Sequence, residues 1–310
     1  MSRNNKGITN LYGHRIFNYL ILCLFGLSVS LSVSAQKDKQ KQGGKVYIDH
    51  ADILRYNQME MPNVQIAKGN VKFRYKDMTL LCDSAYLNEQ QSTFQALGNV
   101  DLKRKDGTRI TCQRAYYDGY LQTLRAREKV VVRQSLKSLK CDSLDYNMVS
   151  NVANYFGGRG TLTYGNSVVV ADQGDYNTDT HDANFYGNVV IHTPKYDINT
   201  PTARGNTDTG LMNVLGKSVI RTKRGEVVHT NDGTYNSKTD YMQLNGYSTI
   251  KSPQRDIEGN NIIYNSTTGD AEGHGNVKIV DDLKKRTITG DYLLYNSKTH
   301  VGEGKGNVDY

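Results

Sequence analysis

The chain has 310 residues, enough for one large domain or two ordinary ones, and is only 37% hydrophobic, with 29 Gly, 22 Tyr, 4 Pro and no Trp. That balance excludes a multi-spanning membrane protein, and frequent Tyr, Thr, Val and Asn favour strands and turns over a helical bundle. The formal charge of +8 falls to +5 (36 basic, 31 acidic groups) once Arg3, Lys6 and Arg15 of the first 35 residues are set aside; spread thinly, with no dense basic face, it excludes a nucleic-acid partner.

Residues 1–35 read as a secretory signal peptide. A basic start (Arg3, Lys6, His14, Arg15) precedes an apolar run from Ile16 to Val33, and Val33-Ser34-Ala35 places cleavage between Ala35 and Gln36. A membrane anchor is the rival reading, but Ser28, Ser30 and Ser32 dilute the second half of the run. Leu22 before Cys23 does not fit a lipoprotein signal, which needs a small residue there. Residues 36–45 form a polar leader too poor in apolar groups to fold alone.

From residue 46 to 310 one pattern repeats. An anchor column runs Asn57, Asn88, Asp118, Asn147, Asn177, Asn206, Asn236, Asn265 and Asn296, at spacings of 29 to 31 residues. A Gly column follows ten to twelve residues later: Gly69, Gly98, Gly158, Gly187, Gly216, Gly246, Gly275 and Gly306, with Glu128 the one departure. Eight residues before the anchors lie Leu80, Ile110, Leu139, Val169, Ile198, Val228, Ile257 and Ile288. Two further on is a small position (Ala51, Cys82, Cys112, Cys141, Ala171, Thr200, Thr230, Gly259, Gly290), and a step of two on one face is strand periodicity. Val71, Val100, Val130, Val189 and Val277 announce a second strand, and the Asn and Gly supply positive-φ corners. The expectation is about nine stacked repeats of ~30 residues, each a short pair or trio of strands adding one strand per sheet at ~4.8 Å per rung, with aliphatic ridges and a ladder of Tyr rings before the anchors.

Few residues point to chemistry. The acid column five before the anchor (Asp52, Asp83, Asp142, Asp172, Asp291) shares its position with Asn231, Asn260, Gln113 and Pro201, which reads as turn capping. The alternative is a parallel β-helix enzyme acting on acidic polysaccharide, with those carboxylates as acid and base. Cys82, Cys112 and Cys141 interchange with Ala, Thr and Gly, so size accounts for them, with one bridge between neighbouring rungs left open. The seven His share no column, and neither a metal motif nor a phosphate loop occurs: Gly157-Gly158-Arg159-Gly160 lacks the Lys and Ser/Thr. No catalytic residue, metal or cofactor is expected.

The unit small-Asp-x-x-x-Tyr-Asn…Ala-x-Gly-Asn-Val, clearest at residues 88–100 and 271–277, resembles the OstA-like (organic solvent tolerance) family over about residues 46–310. The resemblance implies an all-β, β-solenoid-like fold, the semi-open β-jellyroll or β-taco. It also implies a non-enzymatic protein of the periplasm or its outer-membrane face that binds lipopolysaccharide or a related glycolipid and passes it on. Its groove would be lined by Leu80, Ile110, Leu139, Val169, Ile198, Val228, Ile257, Ile288, Val71, Val100, Val130, Val189 and Val277, with Lys and Arg at the rim for phosphates. A purely structural envelope protein is the third reading. The sequence stops at Gly306-Asn307-Val308-Asp309-Tyr310, part-way through a repeat. That predicts edge-strand stacking with itself or with other jellyroll transport domains, the alternative being a longer chain.

Overall fold

A computed structural model describes residues 47–310 apart from 57, 58, 60, 61, 76, 254, 266, 283, 284, 297 and 300. Ala35 and Gln36, with the whole signal and leader, lie outside the described residues. The described residues form 21 strands and no helix. They divide into two compact units, residues 47–180 with 185–187 and residues 181–184 with 188–310.

The first unit is an antiparallel meander. Strands such as Met78–Asn88, Thr93–Arg104, Arg109–Asp118, Thr123–Gln134 and Lys137–Asn147 each pair with the next. Farther along, Val152–Phe156 and Gly160–Tyr164 act as one strand broken at Gly157 and Gly158, both left-handed, and pair with the two halves of Lys137–Asn147. Each repeat is therefore an out-and-back pair of strands. The expectation of one strand per sheet per repeat is overturned, because a period-two pattern does not reveal which way the next strand runs. The parallel architecture behind the polysaccharide-enzyme alternative falls with it.

The Gly-Asn pairs sit inside strands, not between them. Gly69 and Asn70 face the single residue Asp83, Gly98 and Asn99 face Gln113, and Glu128 and Lys129 face Asp142. Two residues against one make a β-bulge, and both bulged residues take positive φ: 74° at Gly98 and 46° at Asn99. The Asp of the preceding strand caps the corner, as Asn99 Nδ2 donates to Asp83 Oδ2 at 2.9 Å and Asn70 Nδ2 to Asp52 Oδ2 at 3.0 Å. Asp52 and Asp83 of the acid column thus cap corners, a role compatible with the column's exchange with Asn and Gln.

The bulges fold the sheet over. Phe73 shares a register row with Leu80 and Leu102, whereas Phe94 stands eight residues before Leu102, ~26 Å along an extended strand. Yet the rings of Phe73 and Phe94 lie 4.9 Å apart, which requires the two halves of the bent sheet to face each other.

The second unit repeats this plan with strands Tyr196–Asn206, Leu211–Thr222, Val227–Asn236, Tyr241–Lys251, Arg255–Asn265, Ala271–Asp281 and Arg286–Asn296, each paired antiparallel to the next. Its walls also meet: the rings of Tyr196 and Tyr235 are 4.9 Å apart. The anchor Asn makes the hairpin turns, its side-chain oxygen accepting backbone N–H bonds two and three residues on, as Asn206 does from Asp208 and Thr209 at 3.0 Å.

Candidate functional site

Alternation along each half-strand sends one set of side chains inward, and the antiparallel register lines them up. In the first unit one row reads Phe73, Leu80, Leu102, Ile110, Val132, Leu139, Leu162 and Val169. The row beside it alternates Val71, Val100 and Val130 with Cys82, Cys112 and Cys141. In the second unit the corresponding row is Ile198, Ile220, Val228, Ile250, Ile257, Ile279 and Ile288.

The structure thus gathers the sequence-predicted groove residues on one inner wall of each unit. Val71, Val100, Leu139, Val130, Val169, Val189, Ile198, Val228, Ile257 and Val277 are buried, and Leu80, Ile110 and Ile288 are half-buried. The opposite wall was missed. It is an alanine row in the first unit (Ala67, Ala85, Ala96, Ala115, Ala126) and a larger-side-chain row in the second (Val214, Leu244, Ile262, Leu293, with Gly233 and Gly273). The signal was present in the step-two pairs Met212/Val214 and Met242/Leu244, close behind the anchors.

Two expectations change. Val100 stands in register between the rows of Cys82 and Cys112, so neighbouring repeats cannot join their thiols; all three are free. Burial pushes these thiols up, to about 11 at Cys82 and Cys112 and about 12 at Cys141. The Tyr of the column before the anchors are not direct cross-strand neighbours either. Tyr146 lies opposite Leu124 and Ala153, and Tyr235 opposite Met212 and Met242, because a returning strand intervenes.

A polar band closes the interior. In the second unit the turn before Tyr196 and the turn before Tyr241 meet: Lys195 Nζ is 2.9 Å from Asp240 Oδ1, which also accepts from the Tyr235 hydroxyl at 2.7 Å. Burial alone would raise the Asp240 carboxyl, but bonds from Lys195, Tyr235 and Thr267 outweigh it and hold it below the usual range. Buried Glu226 accepts from Tyr264 and from Thr222, and Arg224 donates to the Thr267 carbonyl at 2.8 Å. In the first unit Arg104, Gln134 and Lys137 occupy the corresponding ends of the strands. Among the described residues no group of three or more His, Cys, Asp or Glu is placed to hold a metal ion.

This arrangement, apolar rows beneath a polar rim in a sheet folded on itself, fits an amphiphile better than a small polar substrate. Residues 43–201, 159 of the 310, match the family model described as OstA-like protein. The chain belongs to the OstA-like family. A further stretch of this OstA-like chain, residues 154–282, matches the family described as lipopolysaccharide-assembly, LptC-related. No curated protein matches it. Among solved structures it is similar to LptH, the LptA-homologous periplasmic component of the lipopolysaccharide transport device of Pseudomonas aeruginosa, at 14% identity over 46% of this chain and 92% of that one, with a TM-score of 0.22.

Proposed function

We propose that this OstA-like protein is a periplasmic carrier or bridge that binds lipopolysaccharide or a similar glycolipid and hands it on. The observation that carries the reading is the interior of each unit: continuous aliphatic rows, gathered by a folded antiparallel sheet and topped by charged and hydroxyl groups. Hiding one CH₂ from water is worth ~0.8 kcal/mol, so a chain of a dozen carbons costs on the order of 10 kcal/mol to carry exposed. Transfer through water therefore needs an apolar lining along the route. The signal-like N-terminus supports export. The exposed strands Tyr47–His50, Ile53–Tyr56 and Val301–Lys305, bearing Tyr47, Leu54 and Val301 outward, support strand-to-strand association with related jellyroll domains or a second copy.

Photo-crosslinking in cells tests the reading. A diazirine side chain at Ile198 or Val228 should trap lipid, and one at the outward neighbours Asn199 or His229 should not. Crosslinks from the outward positions alone would sink it.

A further inference from the structure

Lys137 opens the strand Lys137–Asn147, and its face is settled by alternation: Lys137, Leu139 and Cys141 are buried, while Lys140 and Asp142 are exposed. Its side chain therefore enters the interior of the first unit, at the end of the apolar row. Only 5% of the residue is exposed, and its Nζ finds no hydrogen-bond acceptor among the described residues. Directly opposite in register stand Gln134 on one side and Tyr164 on the other. The Tyr164 ring lies 5.1 Å from the ammonium, a weak cation–π contact, and Gln134 Oε1 is likewise buried with no donor among the described residues.

A buried ammonium with no acceptor is costly, and folded proteins seldom leave one without a use. Here the two residues stand opposite each other in register at the end of the row of Leu139, Val132 and Leu162, each of these three at most 4% exposed. The charged groups on the polar rim of the second unit have hydrogen-bond partners, Lys195 on Asp240 and Glu226 accepting from Tyr264 and Thr222, so a charged group without one is not required by the architecture.

We propose that Lys137 recognises the anionic headgroup of an acylated ligand: its ammonium takes a phosphate oxygen, Gln134 Oε1 accepts from a neighbouring hydroxyl or amide, and the acyl chains lie along Leu139, Val132 and Leu162. The inference rests on the reading of the interior as an acyl-chain compartment. It narrows the ligand to lipids bearing an oxyanion next to a hydrogen-bond donor.

The test uses the full mature chain and three probes: tetradecyl phosphate, neutral tetradecyl maltoside and inorganic phosphate. The wild type should bind the phosphate amphiphile about tenfold more tightly than the neutral one, the range of one charged hydrogen bond. Lys137→Met, similar in length and apolar, should erase that preference and leave maltoside affinity unchanged; if it does not fold, Lys137→Gln takes its place with the same expected loss. Inorganic phosphate should not compete. A variant that keeps the preference overturns the role of Lys137 and leaves the carrier reading intact. Failure of both amphiphiles to bind the wild type overturns the two together, and competition by inorganic phosphate would make this a free-phosphate site and overturn the headgroup assignment.

Discussion

Residue by residue, the folding of the sheet rests on the bulge corners. A Cβ built on Gly98 would fall 2.2 Å from Asp83 Oδ2, and one on Gly69 equally close to Asp52 Oδ2, so the close approach of the capping acid and the positive φ both demand glycine there. Gly98→Ala should therefore cost about 1–3 kcal/mol. The third corner departs from the rule, because Glu128 and Lys129 hold φ of 64° and 55° with full side chains. What Glu128 gains in return is an exposed ion pair with Arg114, an interaction that is worth little at a solvated surface. Glu128→Gly should thus raise stability, by about 0.5 kcal/mol after the added flexibility of the unfolded chain is counted. Urea unfolding of both variants checks the pair: a loss for Gly98→Ala together with a gain for Glu128→Gly. A destabilised Glu128→Gly would mean that the ion pair outweighs the backbone strain.

At the level of the strand, the bulge keeps the buried parity in step across the corner. In Ala271–Asp281, Ala271 and Gly273 are buried before the corner and Val277 and Ile279 after it, with Gly275 and Asn276 left-handed between them. Deleting Asn276 would leave one residue facing Asn260 where the bulge places two, and so remove the left-handed pair that bends the strand. The deletion should abolish cooperative unfolding and raise binding of a hydrophobic dye, whereas Asn276→Gly should stay within about 1 kcal/mol of wild type. Equal behaviour of the two would show that the corner does not need two residues. The same corners explain what was legible in the sequence. The aliphatic column ending at Ile288 and the small column ending at Gly290 were readable because strand alternation is local. The second strand was read only from its Val column onward, because Gly-Asn has the same left-handed preference in a hairpin turn as in a bulge. Reading it as the former left out the first half of that strand, and with it the wall of Ala96, Ala126 and Leu244. The face of Lys137 follows from its step of two to Leu139, but its full burial was not legible, because the cover comes from Gln134 and Tyr164 on the neighbouring strands.

For the molecule as a carrier, the decisive feature is that the interior of its second unit is shut. In the second unit Ile198, Val228, Ile250, Leu244 and Ile262 are all at most 2% exposed, so an acyl chain reaches them only if the walls part. Lys195 and Asp240 sit at opposite ends of the strand rows: Tyr196 pairs with Thr222, and Tyr241 leads through Asn236 to Leu211, eleven residues or ~36 Å away along the strand Leu211–Thr222. Their 2.9 Å contact therefore ties the two halves of the bent sheet together, and parting the walls to load an acyl chain would break it. Because Asp240 is held below its ordinary carboxylate value, it favours the closed, folded form fully above about pH 4, the unfolded Asp value, and that contribution is lost as pH falls through the lower folded value. Asp240→Asn removes the ion pair and leaves Lys195, itself half exposed, free to reach water. Stopped-flow uptake of a fluorescent acyl lipid at neutral pH should be about tenfold faster for Asp240→Asn, equivalent to about 1.4 kcal/mol off the barrier. Wild-type uptake should accelerate toward that rate as pH drops below 4, while the variant's rate should respond much less. If Asp240→Asn loads no faster than wild type at pH 7, lipid enters without opening this contact, and the polar band between the two turns serves stability alone.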